Sequence, residues 1–276
     1  MIAGSDVPAR GPLARLRRVS IRRLLGAILV LQIGLALALA LPDLDIDRLL
    51  EGSGPIRTSE VEPVTPGSQT RPYSPRVLPR RADGNPGSGP VTLPRELDAL
   101  EFSRTDHPDF GPVLLLAGSI GEGDAARFAR ELDELPQEVG TLMLHSPGGM
   151  VEEALEIGAL VRERGMNTAV LADGACLSAC PLILFAGVER LIAPQAWIGM
   201  HQAYYPASTV VSTAAAITSV QSLQGRVLEY TDAMGVDPVV HVHALATPPE
   251  EAYFLVSEEL LRYRVATEML EDAPEA

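Results

Sequence analysis

Apolar and polar positions follow two different periods along the second half of the chain. Short apolar runs at 113–116, 141–144 and 168–171 predict buried β-strands. The stretches between them, 124–135 and 150–164, place apolar residues at helical spacing and predict amphipathic helices. This β-α-β-α order predicts parallel strand pairing and a layered α/β fold with βαβ units.

The same pattern continues further along the chain. A third helix is predicted over 178–186, short strands over Arg190–Ile192 and Trp197–Met200, and a long helix over 209–230. In layered α/β folds, binding and catalytic residues lie where strands end and helices begin. Functional residues are therefore expected at these junctions, within a folded domain predicted at 97–270.

One strongly apolar run stands apart near the N-terminus. Residues 24–41 contain a single polar side chain, Gln32, and as a helix would extend about 27 Å, close to the thickness of the bilayer hydrocarbon. Six arginines precede this run and place residues 1–23 in the cytoplasm. The pattern predicts a single-pass transmembrane helix in the inner membrane, with the C-terminal domain in the periplasm. The alternative, a signal peptide cleaved after Ala38-Leu39-Ala40, puts the domain in the same compartment.

A Pro- and Gly-rich stretch separates the apolar run from the predicted domain. Nine Pro and six Gly fall within residues 52–95, and no apolar periodicity is present. Such a stretch buries too little surface to offset the entropy of ordering it. We therefore predict a disordered linker over residues 42–96.

Composition excludes several classes of function. The formal net charge of −14 argues against coating nucleic acid, which needs a basic surface. All 22 basic residues are Arg, so Schiff-base enzymes, P-loop hydrolases and Ser–Lys dyads lack the amine they need. His241 and His243 would share one face of a strand, but no third ligand is near them. No metal and no cofactor are predicted.

The first junction with unusual residues is the segment His145-Ser146-Pro147-Gly148-Gly149, between the second strand and the second helix. Two adjacent glycines let the backbone turn sharply and approach a ligand. The helix that follows directs free N–H groups and the positive end of its dipole toward the same place. An ordinary strand-to-helix turn is the alternative.

The second junction surrounds Ser178. Pro181 is tolerated only in the first turn of a helix, so the third helix is expected to begin near Ser178. The hydroxyl there can act as a nucleophile, with the N–H of Ala179 facing a developing oxyanion, or it can simply cap the helix. His201 follows a short strand and is the candidate base, although His107, His145, His241 and His243 compete with it.

Together these pieces resemble the proteolytic subunit of the Clp protease, within the ClpP/crotonase superfamily, over about residues 111–260. Ser146–Gly149 is similar to the oxyanion loop of that family, Gly174–Ala179 to its nucleophile segment, and Met200-His201-Gln202 to the stretch with its catalytic histidine. The order and spacing of the three motifs also match. The resemblance implies a ClpP/crotonase-like layered fold.

The resemblance also implies a role for each motif. Ser178 would attack a carbonyl carbon, and His201 would take its proton and deliver it to the leaving amine. The N–H groups of Gly149 and Ala179 would hold the oxyanion. The expected protein is a membrane-tethered serine peptidase that acts on peptides or unfolded proteins. In this family the region matching 209–230 mediates ring assembly. Here the stretch can assemble a homo-oligomer, cover the site or simply pack.

One part of the family pattern is absent. The position of the aspartate that orients the histidine falls on Pro249, and Thr247, Glu250 and Glu251 are the candidate replacements. A dyad without a third member is the remaining alternative. Two other functions stay open: an inactive envelope scaffold or peptide-binding module, and a crotonase-type acyl-CoA enzyme.

The only two cysteines, Cys176 and Cys180, flank the candidate nucleophile. Thiols outside the cytoplasm commonly oxidise, and a helix that starts between the two residues would bring them within bridging distance. The pair is therefore a candidate disulfide that would pin the nucleophile turn. The alternative is two small buried apolar side chains.

Overall fold

The computed structural model describes residues 20–40, 56–81, 93–94, 96–97, 99–203 and 213–271. The chain forms two compact units, Met1–Ser53 and Gly54–Ala276. In the first unit, α1 spans Ile21–Ala40. Most of the predicted cytoplasmic segment, and the last residue of the predicted transmembrane segment, lie outside the described residues.

Within the described part of the chain, no helix combines the length and the apolar character needed to cross a membrane.

The second unit contains all the strands that the structure describes. They are β1 (Ile56–Val61), β2 (Thr70–Pro72), β3 (Val77–Arg81), β4 (Glu96–Leu97), β5 (Glu101–His107), β6 (Gly111–Ala117), β7 (Thr141–His145), β8 (Asn167–Val170), β9 (Ala175–Leu177), β10 (Arg190–Ile192), β11 (Trp197–Met200), β12 (Glu251–Phe254) and β13 (Glu268–Met269). The helices of this unit are α2 (Asp124–Asp133), α3 (Val151–Arg164), α4 (Cys180–Phe185), α5 (Thr213–Ala233), α6 (His241–Ala246) and α7 (Ser257–Arg262).

These strands form three sheets. The largest has the order β13-β10-β8-β7-β6-β5, in which β5 and β6 are antiparallel and the other neighbours are parallel. The second has the order β2-β12-β11-β9, and its β9–β11 pair is parallel. The third has the order β3-β1-β4. Parallel β6-β7-β8 pairing through α2 and α3 is the βαβ arrangement that the sequence predicts.

The largest sheet is buried on both faces, which explains its continuous apolar strands. Leu114 and Leu116 of β6 pack in a core shared with α2, α3 and α4. Val113 and Leu115, which point to the opposite face, pack in a second core shared with the two smaller sheets. The molecule is thus layered, with helices on one face of the main sheet and strands on the other.

The structure corrects the prediction for residues 56–81, which we call the N-terminal strap. These residues form β1, β2 and β3 instead of a disordered linker. Ile56 and Leu78 are each 1% exposed and belong to the second core, while β2 pairs with β12. The short strands have no apolar face of their own, so local periodicity does not reveal them. Their burial comes from the domain on which they pack.

His241 and His243 lie on the helix α6, so they do not share the face that a strand would give them. His241 Nε2 lies 2.8 Å from Thr231 Oγ1, and His243 Nε2 lies 2.9 Å from the Tyr263 hydroxyl. Each ring therefore has a polar partner in the protein. The described residues contain no group of three or more potential metal ligands.

His145 is a buried structural histidine at the end of β7. Its Nδ1 accepts a hydrogen bond from the Ala175 N–H at 3.2 Å, and burial lowers its pKa to about 4. The unfolded chain, with an ordinary histidine pKa of about 6.5, binds this proton more readily than the folded chain does.

We therefore expect the free energy of unfolding to fall as the pH drops from 6.5 to 4, by about 3 kcal/mol from His145 alone. Denaturant unfolding across this pH range measures the effect. The His145→Asn variant keeps an acceptor for the Ala175 N–H but does not titrate, so its slope should be shallower. An unchanged slope in this variant would show that other groups cause the acid sensitivity.

Candidate active site

The second sheet brings Ser178 and His201 to the same edge. Strands β9 and β11 are parallel neighbours, with Leu177 paired to Gly199, and Ser178 and His201 come just after these strands. The Ser178 N–H donates to the Gly199 carbonyl at 2.9 Å. Because the carboxyl ends of parallel strands lie side by side, the two residues that the sequence singles out become neighbours at one edge.

Ser178 lies in a sharp turn between β9 and α4. Its φ of 59° is in the left-handed region, which costs about 1–2 kcal/mol for a residue with a side chain. The prediction that Ser178 begins and caps the helix is wrong: α4 begins at Cys180, its N-cap is Ala179, and no side chain caps it. The turn lifts Ser178 out of the helix, and its hydroxyl is left free of a capping role. A strained residue at a strand-turn-helix junction is typical of hydrolase nucleophiles.

The glycine loop packs directly against this turn. Gly148 has a φ of 98° and Gly149 a φ of 143°, conformations that favour glycine. A Cβ on Gly148 would lie 2.5 Å from the Leu177 carbonyl oxygen and 2.5 Å from the Ser178 Cβ. A side chain at Gly148 would therefore push the loop away from the candidate nucleophile.

The backbone of Gly149 faces the site. Ile120 N–H donates to the Gly148 carbonyl at 2.8 Å, and Met150 N–H donates to the Ile120 carbonyl at 2.9 Å. The Gly148 carbonyl and the Gly149 N–H belong to one trans peptide group and point in opposite directions, so the Gly149 N–H points away from Ile120. Among the described residues, neither this N–H nor that of Ala179 has an acceptor within the chain. Two donors of this kind can stabilise an oxyanion.

Ser178, His201, Gly149 and Ala179 line one cavity. Its volume is about 120 Å³, smaller than the cavity of about 150 Å³ that accepts a benzene molecule in another protein. Most of its walls are apolar. They include Val151, Pro181, Leu182, Met200, Leu223, Val227, Leu228, Ala244 and Leu245. The cavity thus combines a small set of polar groups with room for one apolar side chain.

His201 is in the protonation state of a general base. It is 8% exposed, and burial lowers its pKa below the ordinary value, against smaller opposing effects of the Gln202 carbonyl and Glu250. The ring is therefore neutral at pH 7. Nδ1 lies 2.8 Å from the Gln202 carbonyl oxygen. Because a carbonyl oxygen only accepts hydrogen bonds, the proton is on Nδ1, and the lone pair on Nε2 can take a proton.

The three candidate third members occupy different positions. The Thr247 hydroxyl donates to the His243 carbonyl at 2.8 Å, so it does not orient His201. Glu250 acts on His201 electrostatically, and raises its pKa against the larger effect of burial. Glu251 begins β12, and no described contact joins it to His201.

The backbone around Gln202 holds the histidine instead of a carboxylate. The Gln202 N–H donates to the Thr247 carbonyl at 3.0 Å, and its side-chain amide donates to the Leu245 carbonyl at 2.7 Å. Both bonds fix the carbonyl that accepts from His201. The stretch that should carry the aspartate therefore acts on His201 through Gln202.

Ser178 and His201 share the cavity, but no hydrogen bond joins them among the described residues. Catalytic hydrogen bonds are often long in unliganded enzymes and shorten when substrate binds. The arrangement therefore brings the pair together without completing the contact through which a proton would pass.

Tyr73 is the site neighbour that sequence reasoning misses. Its ring lies 4.5 Å from the His201 ring between centroids, and its hydroxyl donates to the Pro147 carbonyl at 2.7 Å. The residue belongs to the N-terminal strap, where the Pro-rich composition predicts disorder. In the sequence, the hint of this role is an aromatic residue within a Pro-rich stretch.

A disulfide joins Cys176 and Cys180, with Cα atoms 5.1 Å apart. It links the middle residue of strand β9 to the first residue of α4, and Ser178 lies between the two cysteines. The covalent bond limits the conformations open to this turn in the unfolded chain.

Reducing this disulfide should lower the free energy of unfolding by about 2 kcal/mol, a small effect because the bond closes a loop of only four residues. Denaturant unfolding with and without a phosphine reductant measures it. The Cys176→Ala/Cys180→Ala variant is the control, and reductant should not change its stability. Equal stability of the native chain in both conditions would mean that the bond does not constrain the unfolded state.

Residues 113–234 match the family model for Clp protease. The match includes the glycine loop, Ser178 and His201, and it ends before the stretch with Thr247, Glu250 and Glu251. No curated protein matches the chain. The match to the Clp protease model gives no support to the crotonase-type acyl-CoA alternative. Residues 113–234 therefore form a Clp protease domain, and the resemblance seen in the three sequence motifs is confirmed.

Proposed function

We propose that this protein is a serine peptidase that uses Ser178 as nucleophile and His201 as general base. The observation that carries the proposal is the meeting of a strained serine, a neutral buried histidine and two free backbone N–H groups around one cavity. The Clp protease domain supports peptidase chemistry at the level of the family.

The proposed reaction has two halves. The Ser178 Oγ bonds to the carbonyl carbon of the peptide while His201 Nε2 takes the hydroxyl proton. The electron pair of the carbonyl moves to oxygen, where the N–H groups of Gly149 and Ala179 hold it. Collapse breaks the C–N bond, and His201 gives its proton to the leaving amine. Water, activated by the same imidazole, then releases the acyl group.

The shape of the site favours an extended peptide with an apolar side chain next to the cleaved bond. The apolar wall of the cavity can hold that side chain, and the outward Gly149 carbonyl can accept a hydrogen bond from the peptide backbone. Peptides and unfolded proteins present such segments, whereas folded proteins bury them.

Turnover of fluorogenic peptides by the full chain tests the proposal. Peptides with Leu or Met before the cleaved bond should be hydrolysed, and those with Asp or Lys there should not. Ser178→Ala and His201→Gln should both abolish turnover. The matched control His243→Gln, outside the cavity, should retain it. Turnover that survives Ser178→Ala would contradict the assignment.

We further propose that the apolar run 24–41 tethers the domain to the inner membrane, with residues 54–276 in the periplasm. The apolar character of this run in the sequence and the Arg-rich residues before it support the proposal. Protease protection of spheroplasts tests it: the domain should be digested from the periplasmic side. Protection of the domain in intact spheroplasts would contradict it.

We also propose that the domain assembles with copies of itself, as expected for a Clp protease domain. The long helix α5 (Thr213–Ala233) is the candidate assembly element because its exposed face includes Ile217, which is 54% exposed. Light scattering of the purified full chain in detergent should give a multiple of 29.4 kDa for the protein part. A monomer would contradict this proposal.

An inactive peptide-binding module is the second candidate. It is favoured by the carbonyl, in place of a carboxylate, on His201 Nδ1. It predicts saturable binding of an apolar peptide without turnover, equal in the native chain and in Ser178→Ala. Turnover by the native chain would exclude it.

A further inference from the structure

The N-terminal strap reaches the candidate active site through its second strand. β2 extends the sheet that holds β9 and β11, with Arg71 opposite Ala252. Just beyond β2, the Tyr73 N–H donates to the Glu250 carbonyl at 2.8 Å. The Gln69 side chain donates to the Tyr253 hydroxyl at 2.6 Å and to Glu259 at 2.7 Å. These contacts fix the strap from Gln69 to Tyr73.

Tyr73 contacts both the candidate base, His201, and the glycine loop. Its ring lies against the His201 ring, 4.5 Å between centroids and tilted by 40°. Its hydroxyl donates to the carbonyl of Pro147, the residue that precedes Gly148 in the glycine loop, at 2.7 Å. One side chain thus packs on the base and hydrogen-bonds the loop that presents the Gly149 N–H.

We propose that Tyr73 is a positioning residue, which holds the His201 ring and the glycine loop in the geometry that catalysis needs. This inference rests on the proposed function. It extends the active site to a segment outside the matched domain at 113–234, since the strap ends at residue 81.

The role complements the backbone contact that holds His201 Nδ1. The Gln202 carbonyl fixes the Nδ1 proton, and this hydrogen bond restrains the ring along its own direction without setting the tilt of the ring. The Tyr73 ring restrains a face of the imidazole. Its hydroxyl fixes the peptide group between Pro147 and Gly148, and thereby the direction of the donors that follow. Misplacement of such groups by about 1 Å can lower a rate by about 100-fold.

Two substitutions separate the two contacts of Tyr73. Tyr73→Phe keeps the ring on His201 and removes the hydrogen bond to Pro147. Tyr73→Leu removes both. We expect kcat to fall by roughly 100-fold in Tyr73→Leu and by less in Tyr73→Phe, with KM nearly unchanged in both. Tyr263→Leu is the matched control, since Tyr263 packs on His243 and not on His201, and it should retain the native kcat.

A second readout does not depend on turnover. The titration of His201 can be followed by NMR of the histidine side chains in the full chain, assigned with His201→Gln. Glu250 is the charged group that acts on His201, and it remains in every variant. We expect Tyr73→Leu to raise the pKa of His201 toward its ordinary value because water reaches the ring, and Tyr73→Phe to leave it low.

The two readouts distinguish the proposals. If Tyr73→Leu leaves both kcat and the His201 titration unchanged, or if Tyr263→Leu lowers kcat equally, the positioning role is overturned. If the native chain has no turnover but Tyr73→Leu still moves the His201 titration, the proposed function fails while the contact of Tyr73 with the histidine stands.

Discussion

Replacing Ser178 with glycine should give a protein that is inactive and yet more stable than the native chain. Ser178 has a φ of 59°, which glycine adopts at no steric cost and which other residues adopt at a cost of about 1–2 kcal/mol. The gain in stability should be about 1 kcal/mol because glycine also loses more entropy on folding. Activity should fall roughly a million-fold, as when a serine nucleophile is removed from a related mechanism. Denaturant unfolding and peptide turnover measure the two effects.

Ser178→Ala is the matched control for this experiment. It removes the same hydroxyl but keeps the Cβ in the left-handed turn, so it should lose activity without the gain in stability. Equal stabilities of the glycine and alanine variants would mean that the turn is not strained. Activity in either variant would mean that another residue is the nucleophile.

Gly148→Ala should have the second largest effect. The new Cβ would lie 2.5 Å from both the Leu177 carbonyl oxygen and the Ser178 Cβ, so the loop must move away from the nucleophile turn. Loss of one oxyanion donor costs about 10²- to 10³-fold in rate, and the displaced loop should cost at least about 2 kcal/mol of stability. Turnover and denaturant unfolding again provide the measurements.

Gly123→Ala separates steric overlap from backbone strain. Gly123 has a similar φ of 82°, but a Cβ there would meet no atom within 4 Å. Gly123→Ala should lose stability only through backbone strain, and it should keep its activity. Equal loss of activity in the two variants would show that the tight packing of the glycine loop on Ser178 is not what matters.

The layered core could be predicted from the sequence because its strands are parallel and buried on both faces. Such strands are continuous apolar runs, and runs of this kind predict β6 and β7. The candidate site could also be predicted, because the glycine loop, Ser178 and His201 each come directly after a strand. Their meeting in one cavity depends on the β9–β11 pairing, which no local pattern reveals.

The strap and the support of His201 could not be predicted in this way. β1, β2 and β3 gain their burial from distant parts of the chain, so their Pro-rich composition gave the wrong answer for residues 56–81. In the family pattern the third member is a side chain, whereas here His201 Nδ1 donates to the Gln202 backbone carbonyl.

The central claim is that Ser178 is an activated nucleophile in a serine peptidase. Fluorophosphonate probes react with such serines and leave a stable phosphonyl adduct on the oxygen. The full chain should be labelled, with the adduct located on Ser178 by mass spectrometry, and His201→Gln should greatly slow the reaction. A folded native chain that acquires no adduct on Ser178 would contradict the account.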